Sequence, residues 1–494
     1  MNAIREAEMD ASVVIVGAGP AGLMLAGELR LVGVDVIVLE RLSERSGESR
    51  GIGLTLRTME VLDQRGLLSR FGPLETSSAG HFGGIPLDMG VLGAPIEAAR
   101  TVPQSVTETV LESWARGLGA DIRRGHEFAG LEAGDDHVTV HVSERPSLTA
   151  EYVIGCDGGR SAVRKTAGFD FPGTAATTEL YLADIRGVEL PPRMIGEQVP
   201  GGMVMSARMP NGVHRIIVNE RGVPPQHRSA PPAFGEVADI WKRLTGIDIS
   251  HAEPVWVSVF GDAARLVTQY RRGRVLLAGD AAHVHLPAGG QGMNTSIQDA
   301  VNLGWKLAAV LRGSAPPELL DTYHSERHEV GRRLLANTRA QSLFILGGEE
   351  VSPLRDVVAE LLAYPEVERQ LAARVSGLDI RYDVGSGSHP LLGARLPRIP
   401  LSRNRHAVDS AELLRSGRGV LLDLADNPAL RHRASDWLDR VDVVTATPPP
   451  FDATDPLAGT TAVLLRPDGH IAWAAPGSDH DLPMALTRWF GSAR

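Results

Sequence analysis

The sequence predicts an α/β protein in three parts: an open, largely parallel sheet flanked by helices, an antiparallel sheet set into it, and a smaller C-terminal α/β unit. The third part rests on RGVLLDLAD, a helix-like ALRHRASDWLDRV, VDVVTA and the hairpin TAVLLRPDGHIAWAA, and three observations carry the other two. A strand–glycine–helix–strand unit fills residues 12–40. A second glycine-rich junction, RVLLAGDAAHVHLPAGGQGMN at 274–294, leads into a long helical pattern. Between them lie short alternating segments punctuated by turn residues. The 494 residues, 43% hydrophobic and 22% charged, are ordinary for a folded chain of two or three domains.

In the first unit, SVVIV reads as a buried strand and is followed by Gly17, Gly19 and Gly22 in G-x-G-x-x-G spacing. Pro20 and Ala21 sit inside that run, and LMLAGELRLVG continues as a helix. Gly17 permits the tight turn, Gly19 lets backbone approach a pyrophosphate, and Gly22 lets helix and strand pack closely. The helix start presents about half a positive charge to phosphates. VDVIVLER then forms a second strand ending at Glu40, where a carboxylate can take the ribose hydroxyls of an adenosine. This is a Rossmann-like dinucleotide unit, with NAD and FAD both open at this point.

Further along, YVIGCDGGRSAVRKTAG places Asp157, Gly158, Ser161 and Arg164 at a strand end leading into a helix. A Ser-capped turn would account for that pattern by itself. At the second junction, Gly279-Asp280 closes another strand, and the Asp280 carboxylate can accept hydrogen bonds from a ribityl chain. Pro287, Gly290, Gly292 and Asn294 follow in P-x-x-G-x-G-x-N spacing. Ile297, Val301, Trp305, Ala308 and Leu311 then recur at helical spacing, so a helix aims its start at the glycines. Reduced isoalloxazine is an anion, and backbone amides at a helix start suit that charge. The first junction is expected to hold pyrophosphate and the second to serve the redox ring.

Taken together, GAGPAG, CDGGRSAVR and LAGDAAHVHLPAGGQGMNTSIQDAVNLGWKL resemble, in order, the three fingerprints of the single-component (group A) FAD-dependent aromatic hydroxylases. These include para-hydroxybenzoate hydroxylase and phenol hydroxylase. GESRGIGLTLRTMEVLDQRG, TVPQSVTET and VHLPAGGQGMN are similar to segments of the angucycline polyketide oxygenases of the gaudimycin, urdamycin and landomycin pathways. The resemblance implies a glutathione reductase-type FAD domain over 9–177 and 270–395, a β-sheet substrate domain over 178–269, and a thioredoxin-like domain over 396–494. Residues 78–98 could join either of the first two, and residues 1–8 are expected to be a disordered extension. It also implies Arg41 with Glu40 near the adenosine, Arg50 and Gln104 along the FAD, and Asp157 near the binding turn. Asp280 would lie on the ribityl-pyrophosphate, with Gly290, Gly292, Met293 and Asn294 beside the ring.

The implied chemistry is hydroxylation of a polycyclic aromatic polyketide in antibiotic biosynthesis, an angucyclinone at C-12, through a flavin C4a-hydroperoxide. FAD is resident, NADPH docks transiently and O2 is the co-substrate. No catalytic side chain is named, and a homodimer is an expectation. The alternatives are an antibiotic-inactivating monooxygenase of rifampicin or tetracycline type, and a non-catalytic carrier on the same fold.

Other features narrow the field. The net charge of -10, with basic residues scattered, argues against nucleic acid. Cys156 is the sole cysteine, so an internal disulfide and dithiol chemistry in the C-terminal domain are excluded, and a reducing cytoplasm is expected. MNAIREAEMDA lacks a signal-peptide core, and no apolar run approaches the roughly 20 residues of a membrane span. His283 and His285 sit two apart without a neighbouring acid or thiol, which speaks against a metal site. Cys156 and Trp305 read as core residues.

Overall fold

A computed structural model of the chain describes residues 9–493 apart from 48–50, 95–96, 101, 210–211, 227, 229, 386, 453–454 and 477–480. The expected extension at 1–8 and Arg50 therefore lie outside the described residues.

Apolar, β-branched runs build the main sheet. Strand Ala11–Val16 pairs in parallel with Val36–Glu40 on one side and Leu148–Gly155 on the other. Val275–Leu277 lies parallel to Leu148–Gly155, and Asp121–Arg124 lies parallel to Val36–Glu40. Val13, Val14 and Ile15 are wholly buried, as strands covered on both faces must be. The consequence for function is topological. Residues 16, 155 and 277 end three adjacent parallel strands, so the three glycine-bearing loops emerge side by side at one carboxyl edge, where open α/β sheets bind ligands.

Helix Pro20–Leu31 lies against helix Gln291–Leu311 at very short range. A β-carbon on Gly304 would stand 2.6 Å from the Glu28 β-carbon. One on Gly27 would stand 2.1 Å from the Trp114 ring of a third helix, Gln104–Gly117, so glycine is required at both crossings.

The second sheet is antiparallel, in the order Arg193–Val199, Gly202–Arg208, His214–Glu220, Glu179–Arg186, Glu253–Gly261. Helix Phe234–Thr245 covers one face through Val237, Ile240 and Trp241. Three of these strands, Glu179–Arg186, Gly202–Arg208 and His214–Glu220, fall in the alternating segments ELYLADIRGVEL, GGMVMSARMPNG and HRIIVNERG of the sequence. Arg193–Val199 is only partly buried and Glu253–Gly261 carries Pro254, so neither shows clean alternation. The helix has an apolar stripe at helical spacing that the reading leaves unused. The hairpin Ala79–Phe82 and Ile85–Asp88 packs Phe82, Ile85 and Leu87 against Phe344 and Val375.

At the C-terminus, Gly419–Asp423 runs parallel to Val441–Thr445 and antiparallel to Ala462–Leu465, which pairs with Ile471–Ala475. With the closing helix Asp481–Phe490 this is the strand order of a thioredoxin-like fold. That helix has no counterpart in the sequence reading. The turn between the last two strands is buried rather than exposed: Arg466 is 0% accessible, Asp468 2% and His470 3%. Among the described residues no helix is long and apolar enough to cross a membrane.

Candidate cofactor and substrate site

Gly17 has φ +108, and a β-carbon there would meet the Cys156 carbonyl oxygen at 2.4 Å. A β-carbon on Gly22 would meet the Gly17 carbonyl oxygen at 2.0 Å, whereas one on Gly19 meets nothing within 4 Å. Two glycines are thus fixed by the protein's own packing, and the third leaves room for a ligand. Pro20 opens the helix at its first position, where the missing N–H costs nothing. The Glu40 carboxylate accepts from the amides of Ala18 and Leu42, both at 2.9 Å, and so clamps the loop to its strand. Its remaining lone pairs stay available. Arg41 is exposed beside it.

The second motif is a brace as well as a turn. Asp157 Oδ2 accepts from the amides of Ala162 and Val163, at 2.6 and 3.1 Å, while Oδ1 is buried without a protein partner. Ser161 caps the short helix by accepting from the Arg164 amide. The Arg164 guanidinium donates to the carbonyls of Ala281 and Gly159, both at 2.9 Å, which joins the second motif to the third.

In the third motif Gly279 has φ +64, and a β-carbon there would stand 2.9 Å from the Ser296 hydroxyl and 3.2 Å from the Ala21 β-carbon. The first and third glycine junctions therefore touch. Asp280 is exposed at this meeting point. Pro287 precedes two consecutive left-handed glycines, Gly289 and Gly290. The helix begins at Gln291, inside the glycine run and six residues before Ile297 opens the apolar pattern. Gly292, Met293 and Asn294 are thus its first turn, where amides lack intrahelical acceptors.

Asn294, 2% accessible, accepts from the Thr55 amide at 2.9 Å and donates to the carbonyls of Gly290 at 2.8 Å and Gly53 at 3.3 Å. A β-carbon on Gly51 would lie 3.4 Å from Met293 and 3.7 Å from Gln104, whose own amide donates to the Gly51 carbonyl at 2.9 Å. Met293, Gln104 and Asn294 therefore surround the segment that follows Arg50. Near Gly292 lies the His285 ring, which burial pushes down to about 4. It is neutral at physiological pH.

Sequence reasoning does not find the support behind these loops. Asp299, 1% accessible, accepts from the Gly279 amide at 3.0 Å, from His283 Nε2 at 2.8 Å and from Arg327 Nε at 2.5 Å. Burial alone would raise its carboxyl, but Arg327 and His283 outweigh that and hold it below the ordinary carboxylate range. His283 is thus a brace for Gly279, and no metal-competent cluster occurs among the described residues. The available signal is Asp299, Asn302 and Lys306 at helical spacing inside an apolar pattern. Cys156 is buried, and burial pushes its thiol far above the usual range, so it is inert core.

These residues fit FAD. Gly19 offers open backbone, Asp157 keeps a buried unsatisfied oxygen, Asp280 faces outward, and a helix start lies one loop away. The fold and site define a flavoprotein of the oxygenase class. Residues 10–338 match the family described as FAD binding domain, and residues 389–493 match the aromatic-ring hydroxylase C-terminal family. The chain therefore belongs to the FAD-dependent aromatic-ring hydroxylases and is a monooxygenase, a class that typically draws its electrons from NADPH.

Among its relatives is the anhydrotetracycline monooxygenase of Streptomyces rimosus, 43% identical over 97% of this chain and 98% of that one. The solved structure of CabE, an aromatic hydroxylase from angucycline biosynthesis, superposes with a TM-score of 0.96 at 62% identity, covering 98% of this chain and all of CabE. BexE, studied for oxidation in BE-7585A biosynthesis, gives 0.94 at 66% identity over 98% of this chain and all of BexE.

Proposed function

We propose that this enzyme hydroxylates a polycyclic aromatic polyketide of the angucyclinone type, at C-12, in the assembly of an antibiotic. The observation that carries this reading is full-length likeness to CabE at 62% identity, with all three cofactor loops intact and adjacent. Bound FAD would supply hydride acceptance and oxygen activation. The chain's residues would do the rest. Gly17, Gly19, Pro20, Ala21 and Gly22 cradle the pyrophosphate, Glu40 and Arg41 flank the adenosine, and Asp280 takes the ribityl hydroxyls. Asp157 shapes the turn beneath, and Arg50 and Gln104 run along the cofactor. From Pro287 through Gly290, Gly292, Met293 and Asn294 the helix start faces the ring and favours negative charge there.

Domain limits of 9–177 with 270–395, 178–269 and 396–494, a cytoplasmic setting and a homodimer belong to the same reading. The test is anaerobic reduction of the FAD-loaded enzyme with NADPH, then oxygen, with a panel of angucyclinones and mass spectrometry. The expected result is a gain of one oxygen, mapped to C-12 by NMR. NADPH oxidation with no oxygenated product from any angucyclinone would overturn it.

A further inference from the structure

One face of the antiparallel sheet is spoken for by helix Phe234–Thr245. The other turns toward the ring loop. Leu180, Leu182, Met203 and Ile217 on that face pack with Leu286 and Ala288 of the loop itself. Strand register arranges it in cross-strand rows. Leu180 faces Phe260, and two residues on Leu182 lies between Ser258 and Ile217. Two residues further Asp184 lies between Trp256 and Arg215. The first two rows are almost wholly apolar, whereas the third carries charge.

That third row is a closed pair. Asp184 accepts from Arg215 Nε and Nη2, both at 2.7 Å, with the Arg215 side chain 2% and the Asp184 side chain 14% accessible. The Arg215 guanidinium also lies 5.7 Å from the Trp256 ring. The arginine fork is thus spent on the protein's own carboxylate. What the row still offers is the spare lone pairs of a partly accessible Asp184, an acceptor with no net charge behind it, beside the half-buried flat ring of Trp256. Two residues at about 3.3 Å each put it roughly 7 Å along the sheet beyond Leu182, the last residue of that strand in the cluster of the ring loop. A single phenol ring docked at the loop falls short of that distance, and three or four fused rings span it.

We propose that the row Trp256–Asp184–Arg215 recognises the far, hydroxylated and uncharged edge of an elongated polycyclic substrate. This rests on the oxygenase reading above and deepens it. The sheet selects by length, through the spacing between ring loop and row, and by charge, because a substrate carboxylate would meet Asp184 rather than a free cation. Trp256 supplies apolar area, and Asp184 accepts from a substrate hydroxyl.

The test uses the FAD-loaded enzyme, titrated with danthron (a dihydroxyanthraquinone), rhein (the same rings bearing a carboxylate) and phenol, with affinity read from the flavin absorbance. Wild type should bind danthron at least about tenfold more tightly than rhein or phenol. Trp256→Ala and Asp184→Asn should each weaken danthron by at least about tenfold and leave phenol and FAD affinity unchanged. Rhein binding as tightly as danthron, or danthron affinity changed by less than about tenfold in folded variants, overturns the proposal. Should Asp184→Asn not fold, Trp256→Ala decides. Failure of the oxygenase reading itself shows separately, as wild-type flavin that NADPH does not reduce.

Discussion

At Gly22 a single methyl group separates a working loop from a broken one. With 2.0 Å between its would-be β-carbon and the Gly17 oxygen, Gly22→Ala must push helix and strand apart. Overpacking of this kind costs about 1–3 kcal/mol. We expect both a less stable apoprotein in urea and weaker FAD binding by fluorescence titration. Asp280→Asn should separate the two effects. Asp280 is exposed, so apoprotein stability should hold within about 0.5 kcal/mol. FAD affinity should fall by roughly tenfold or more as charge-assisted hydrogen bonds are lost. Equal losses of stability in both variants would contradict these roles. Gly17, Gly22 and Asp280 are legible in the sequence because their constraint is local. Asp299 is not, since its meaning depends on Arg327, His283 and the Gly279 amide arriving from elsewhere in the chain.

Elements are legible where burial is periodic and obscure where it is not. Four of the parallel strands read directly from their apolar runs, whereas Asp121–Arg124, with the sequence DIRR, does not. The start of helix Gln291–Leu311 does not, because Gly292, Met293 and Asn294 replace the apolar stripe with ligand-facing backbone. Asn294 fastens that start to the strand segment at Gly53–Leu54. Asn294→Ala strands the Thr55 amide and the Gly53 carbonyl at a partly buried position. The expected cost is about 1–3 kcal/mol in urea unfolding, with lowered FAD affinity. An Asn294→Ala protein as stable as wild type would show the tie to be dispensable.

Across the whole molecule, a buried charge network joins the flavin domain to the C-terminal domain. Arg466 donates to Glu326 through Nη1 at 2.6 Å and Nη2 at 2.8 Å and also pairs with Asp468. Lys306 donates to Glu326 at 2.7 Å, and Trp305 Nε1 donates to Asp468 at 3.2 Å. Burial would raise Glu326, but Arg466 and Lys306 outweigh it and draw it down to about 2. Arg466→Met, which leaves Lys306 as the one buried cation hydrogen-bonded to Glu326 and takes the arginine from Asp468, should cost about 3–5 kcal/mol, and Glu326→Leu in the same chain should recover part of it by restoring the charge balance. Chemical denaturation of single and double variants measures both.

His470 adds a pH dependence. Burial lowers it from 6.5 to about 4, so the unfolded chain takes up the proton first. Its contribution is complete above the unfolded pKa and is lost as pH falls through that interval. The loss reaches roughly 3 kcal/mol by about pH 4. His470→Phe should flatten this slope, and a slope unchanged in that variant would place its origin in another group.

The Pro467-Asp468-Gly469 turn sits between the two domains like a plug in a socket. Arg57 donates to the Asp468 carbonyl at 2.7 Å and Arg65 to the Pro467 carbonyl at 2.9 Å. Chimeras that graft a foreign tail onto this enzyme must therefore import the socket too, above all Arg57, Arg65, Glu326 and Lys306.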